Sequence, residues 1–437
     1  MSILSSIDLI VGTLIFVGAI AFGRVARFSW ISPQVMTAFL AYKLIICVGY
    51  NVTSPFGTGS NDNIGYFFEG KDYARMLGDL VRGVGTEYLK STPFFGLDGT
   101  NTERFTSLAG FLVVITGESF IGCNMLMGLV GGAGQLLVFR YLRGRFQSAN
   151  HRWFYLILFH PTLTFWSASM VKDTIGVFAV GIAIFYIDDF MLRLRFSSLA
   201  AAVFGFYAAS LFRPYVLLFM GIYLLASFWD RRLDNSGRMG GVVTVTMFAY
   251  LCMAGVVALA ALVYSVRTFG SDFAEAQRIS NEGYNLEGAG STFQNAELGV
   301  SAGGLAALPI GLINAFLRPF PWEVRSVTQL LAAIENAIVF IFFWRAWRKY
   351  FFEMPPAIRR EVRSLLFSGA LTSVICGSGI GLFCSNAGTI SRYRVSVIPI
   401  FLAGPCVVMA LSSPRRRFPT VPRTVGRGWS HPVRTVA

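Results

Sequence analysis

Residues 3–22 read ILSSIDLIVGTLIFVGAIAF: one charge, Asp8, and no basic residue. An α-helix rises about 1.5 Å per residue, so about 20 apolar residues cross the hydrocarbon core of a bilayer. A secretory signal would open with basic residues. Here Asp8 stands in that place, so the run reads as a retained span and not as a cleaved leader. Working outward, the same texture recurs at 33–50, 105–139, 153–165, 174–187, 198–212, 214–229, 241–264, 327–344, 364–383 and 395–411. Gly117-Glu118 interrupts 105–139, which reads as a membrane-dipping segment followed by one true span. The expected architecture is an all-α polytopic integral membrane bundle of about eleven spans over residues 1–411, with a basic tail at 412–437 that touches anionic headgroups.

Composition points the same way. Of 437 residues 54% are hydrophobic and 14% charged, with mean hydropathy +0.58. A soluble domain carries about 25% charged residues, so a cytosolic enzyme is excluded, as are disordered, collagen-like and disulfide-built chains. The net charge of +14 fits cytoplasmic loops that accumulate Lys and Arg better than a nucleic-acid partner. The three histidines (His151, His160, His431) and six cysteines show no metal-ligand spacing, and no cofactor is expected.

Sidedness follows from the basic loops. With the N-terminus outside and the C-terminus cytoplasmic, the short basic loops at 24–27, 140–152, 193–195, 231–238 and 345–363 share one face, as insertion requires. Two large loops, 51–104 and 265–325, then face outward. The second contains a Gly/Asn/Ser-rich stretch, 280–304, expected to be mobile.

Polar clusters mark the outer ends of several spans: Asp62-Asn63-Ile64-Gly65-Tyr66, His160-Pro161, Trp166 with Lys172-Asp173, Arg213-Pro214-Tyr215, Arg318 to Glu323 with Trp322, and Asn386 to Arg394. Charges near membrane depth cost roughly 2.5–3.5 kcal/mol each on insertion scales, so they pair or line a polar cavity. Arg213, Arg318, Arg392 and Arg394, with Lys172, suit a phosphate or pyrophosphate, which arginine grips bidentately. Asp62, Asp173 or His160 can take a proton from an attacking hydroxyl. Tyr66, Tyr215, Trp322 and Tyr393 can stack on sugar rings, and Asn386 offers a polar contact.

Each has a plainer reading. Asp62 can serve a turn-prone Ser-Asn-Asp-Asn loop, and Lys172-Asp173 can be a local pair at a helix start. Arg392 and Arg394 can reach headgroups, and Trp322 can sit in the interfacial belt. Glu335 inside a span is a proton relay or a partner for a neighbouring helix. Gly131-Gly132-Ala133-Gly134 reads as a close-packing helix face, not a nucleotide loop.

Asp–x3–Tyr after an early span, Pro–x3–Phe-Trp-Ser followed by Lys-Asp, and the Arg-rich turn before the last helix resemble bacterial polysaccharide-biosynthesis membrane proteins, the GT-C-like glycosyltransferases and the Wzy-type polymerases. The resemblance covers about 62–394. It implies a membrane glycosyltransferase or polymerase acting on polyprenyl-(pyro)phosphate-linked sugars and a glycan acceptor, outside the inner membrane, in exopolysaccharide or O-antigen assembly. In GT-C enzymes an acid in the first outer loop is the base, and Asp62 matches that position. Many carry two adjacent acids where this chain has Asp62-Asn63, so a divalent cation lacks its usual pair. Outer-loop arginines engage the lipid pyrophosphate, which implicates Arg213, Arg318, Arg392 and Arg394. Two rivals remain: a lipid-linked oligosaccharide transporter or flippase, and a non-catalytic subunit working with other assembly or export proteins.

Overall fold

A computed structural model describes residues 5–53, 62–82, 100–193, 195–234, 308–384 and 387–412. Among these every regular element is a helix: α1 (Ser6–Val25), α2 (Pro33–Thr53), α3 (Asp62–Val81), α4 (Asn101–Ile115), α5 (Phe120–Arg145), α6 (Tyr155–Phe159), α7 (Pro161–Trp166), α8 (Lys172–Arg193), α9 (Phe196–Phe212), α10 (Tyr215–Asp234), α11 (Leu308–Phe316), α12 (Val327–Arg348), α13 (Pro356–Phe383), α14 (Ala387–Tyr393) and α15 (Ile398–Ser412). Five of these (α1, α2, α5, α12 continued to Glu353, and α13) are long and apolar enough to cross a membrane, and a sixth joins them if the pair bent by 66° around Val397 counts as one.

The lone charge of residues 3–22 has a structural role. Asp8 closes a capping box with Ser5, taking hydrogen bonds from its backbone N (2.8 Å) and Oγ (2.9 Å). Its second oxygen accepts from Ser119 Oγ (2.9 Å) and Ile121 N (2.8 Å), which seats the start of α1 on the start of α5. The outward faces of α1 and α12 stay apolar and unburied, with 22% and 11% of their apolar windows inside the bundle.

The expected break at Gly117-Glu118 is a turn in which both residues adopt positive φ (61° and 63°), ending α4 and letting α5 begin at Phe120. Residues 153–165 are not one helix. After a 3₁₀ turn (His151–Phe154), α6 stops at His160, because the residue before a proline is driven out of the α region, and α7 restarts with Pro161 at its first position. This broken segment is a return path. Gly128 and Gly131 of α5 press on the Ala168 and Ser167 carbonyls, Gly134 on Gly181, and Arg145 pairs with Asp188 (2.8 Å), so α5 and α8 run parallel and 146–171 climbs back between them. Side chains at those glycines would collide with backbone, so the small-residue face read from the sequence sets the spacing. α9 then turns back along α8: Ser198 meets Asp189, Gly205 meets Ile182, and Arg213 arrives at Asp173.

Against the expectation of about eleven spans, the described residues are all-helical and supply five or six candidate crossings. Residues 153–165 are broken, and 241–264 lie outside the described residues. The stretch 51–104 is not simply a loop, since it holds α3, and 265–325 holds α11 and a 3₁₀ turn (Pro321–Glu323). Residues 280–304 and the tail from 413 also lie outside the described residues.

Candidate functional site

The site is assembled by four starts and stops of helices: the first turn of α3, the first turn of α8, the α9–α10 corner, and the α14 segment before α15. Lys172 and Asp173 precede the apolar run of α8, and the loop before them is held rigidly. Asn124 of α5 accepts from Ser169 Oγ (2.5 Å) and Met170 N (2.8 Å). Asn51 of α2 accepts from Asn63 Nδ2 (2.6 Å), and its Oδ1 lies 3.1 Å from Ser169 Oγ, so α3 is tied to the same loop. Asn51 is 2% exposed, and its amide nitrogen donates to the Cys47 carbonyl (2.7 Å).

Asp173 is fully buried. Its carboxylate accepts from Arg213 Nη2 (2.7 Å), Arg392 Nε and Tyr215 Oη (3.2 Å). Burial alone would push this carboxyl up. The two guanidiniums outweigh burial and hold it below its ordinary pKa. Arg392 extends its Nη2 to Asp62 Oδ2 (2.6 Å), so one arginine bridges a buried and a half-exposed carboxylate. The Arg213 guanidinium lies over the Tyr393 (5.4 Å) and Tyr215 (5.7 Å) rings, and its Nε has no hydrogen-bond partner.

Lys172 donates to Thr102 Oγ1 of α4 (2.7 Å) and lies over the Tyr66 ring (5.6 Å). Among the described residues no carboxylate is within ion-pair distance of it. Burial, and then the neighbouring Arg213 charge, lower its pKa to about 8 against the pull of Asp62. The Tyr66 phenol is pushed well above its ordinary value by burial and by Asp62, so it stays a neutral hydroxyl.

The structure thus brings together Asp62, Tyr66, Lys172, Asp173, Arg213, Tyr215 and Arg392. It gives Asp173 a different part from the base expected of it: a buried acceptor of three donors positions arginines and cannot meet an acceptor hydroxyl. Four other expected residues lie elsewhere. His160 is buried against Glu335 of α12, Nδ1 to Oε1 at 2.9 Å. That short contact requires the proton on Nδ1, so the 3.3 Å approach of Leu163 N to the same atom is not a second hydrogen bond. Glu335 also accepts from Thr162 N (3.1 Å) and Oγ1 (2.8 Å), the arrangement of a partner for a neighbouring helix. Arg394 points inward, donating to the Ala315 carbonyl (2.7 Å) and Asn336 Oδ1 (2.9 Å). Arg318 pairs with Glu323 (3.0 Å), and Trp322 is 80% exposed, stacked on Phe320. Asn386 lies outside the described residues.

Sequence reading missed Thr102, whose hydroxyl gives no signal, and Asn124, whose amide inside an apolar run was one. Among the described residues no cluster of three His, Cys, Asp or Glu side chains could hold a metal ion. An apolar hollow lined by Tyr141, Ile184, Asp188, Met220 and Tyr223 lies at the other end of α8, away from these charges. Comparison with protein-family models, curated proteins and solved structures finds no match.

Proposed function

We propose that the protein is a membrane glycosyltransferase or polysaccharide polymerase that uses polyprenyl-(pyro)phosphate-linked sugars on the extracytoplasmic face of a bacterial inner membrane, in exopolysaccharide or O-antigen assembly. The carrying observation is the convergence of Lys172, Arg213 and Arg392 on Asp62 and Asp173 among the described residues, where four helix ends meet. A net-cationic cluster beside apolar helices suits an anionic headgroup on a lipid tail.

Orientation supports the outward face. Asp8, Asn51, Lys172 and Arg213 are at one end of the bundle, while Arg24, Arg145 and Arg193 are at the other, as cytoplasmic basic loops would be. The fuller architecture of about eleven spans with outer loops 51–104 and 265–325 belongs to this reading. In it the arginines neutralise the leaving (pyro)phosphate and stabilise its developing charge. Asp62, the exposed carboxylate, takes the proton of the acceptor hydroxyl as that oxygen attacks the anomeric carbon and the bond to phosphate breaks.

The test is incubation of purified protein with a panel of polyprenyl-linked sugars, reading released lipid phosphate or pyrophosphate. Release lost in Arg213→Ala and Arg392→Ala with insertion intact is the expected result. Release unchanged in both removes the proposal. One observation favours the transporter as second reading: the broken return through α6 and α7 carries polar groups inside the bundle, as discontinuous transporter helices do. In that case the lipid-linked sugar crosses vesicles intact and nothing is released.

A further inference from the structure

The two carboxylates on Arg392 differ in kind. Asp173 is fully buried, shared with Arg213 and Tyr215, and fixed by the loop before α8. Asp62 opens α3 with its side chain 40% exposed, and meets Arg392 Nη2 at 2.6 Å. A rim carboxylate laid on an arginine whose charge a buried partner already shares is an anion in an anion's place.

We propose that Asp62 is a resident stand-in for a ligand phosphate: an arriving phosphate oxygen takes over the Arg392 Nη2 hydrogen bond, and Asp62 is released toward the exposed side of the site. This rests on reading the site as a phosphate site. The exchange replaces one charge-assisted hydrogen bond with another of the same type, so its cost is small. Phosphate gains what a carboxylate cannot reach at once, because its further oxygens face two more cations. Lys172 holds only the neutral Thr102 hydroxyl and the Tyr66 face, and Arg213 keeps an unused Nε. Without the stand-in, the described residues of the empty site would set three cations against one buried carboxylate beside apolar helices, which is costly. The exchange also imposes an order: the carboxylate at the rim becomes available only after the anion has entered.

Calorimetric titration of the purified full-length protein with inorganic pyrophosphate tests this. Asp62→Asn is expected to bind about two- to fivefold tighter than the unaltered chain, the size of one part-exposed ion pair released. Asp72→Asn, the same charge change on the same helix at an exposed pair with Arg75, is expected to leave affinity unchanged. Lys172→Gln is expected to weaken it. Should Asn at 62 prevent folding, Asp62→Ser, also uncharged, repeats the comparison. If affinity is equal or weaker at 62, or Asp72→Asn tightens binding as much, the stand-in is overturned while the phosphate site survives. If no form binds pyrophosphate, both fall.

Discussion

Lys172 and Asp173 are neighbours in sequence with opposite assignments: the lysine turns toward α4 and donates to a neutral hydroxyl, while the aspartate is held by two arginines. Asp173→Asn leaves the buried Arg213 guanidinium without this counter-charge while Arg392 keeps Asp62, and is expected to cost about 3–5 kcal/mol, read as a lowered unfolding midpoint in detergent. Since its folded pKa is depressed, the stabilisation it gives is present above its unfolded value and is lost as pH falls through the lower folded value. Lys172 has the other sign. With a pKa near 8 it is cationic below that value and neutral above it, so pyrophosphate affinity should fall as pH rises through about 8. Lys172→Arg should remove that inflection in the same titration. These residues were legible because each charge abuts an apolar run. Arg392 and Arg394, two positions apart, looked equivalent. They diverge because Arg394 opens the 3₁₀ turn (Arg394–Ser396) and faces α12 and the Ala315 carbonyl.

Among the elements, the broken return decides whether the site forms. Gly131 lets the Ser167 carbonyl and Thr174 lie against α5, so Gly131→Val should push the 167–171 loop away and displace Lys172. The expected outcome is folded protein in reduced yield with pyrophosphate binding lost, measured by size-exclusion profile and titration. Glu335→Ala strips the Thr162 amide and His160 of their shared acceptor in a buried place. It should lower stability by about 1–3 kcal/mol and loosen α12, seen as faster proteolysis there. Hydropathy read 153–165 as one crossing because it registers apolarity and not continuity. His160-Pro161 carried the break in plain view. The Gly117-Glu118 turn and the glycine face were legible for the matching reason, since each is set by local backbone sterics.

For the whole molecule, the proposed orientation puts Lys172 and Arg213 outside and Arg145 and Arg193 inside. A single cysteine at Asp72 should react with a membrane-impermeant maleimide added outside, and one at Arg193 only after the membrane is opened, once Cys252 is replaced by Ser. The five described native cysteines are buried and give little background. Labelling of both from one side would remove the outward orientation. Span number was less legible than class, because composition fixes the solvent and says little about how segments under 18 residues, such as α9, are placed. The buried Lys43 adds a requirement on assembly. It stands midway along α2, donating to Gln135 Oε1 (2.9 Å) and Ser167 Oγ (2.6 Å), partners made by the ribosome some hundred residues later. Until those arrive the ammonium faces lipid at a penalty of roughly 3 kcal/mol. The second helix therefore has no stable berth of its own during synthesis, and nascent chains halted before Gln135 should be extracted and degraded while chains extended past Ser167 persist.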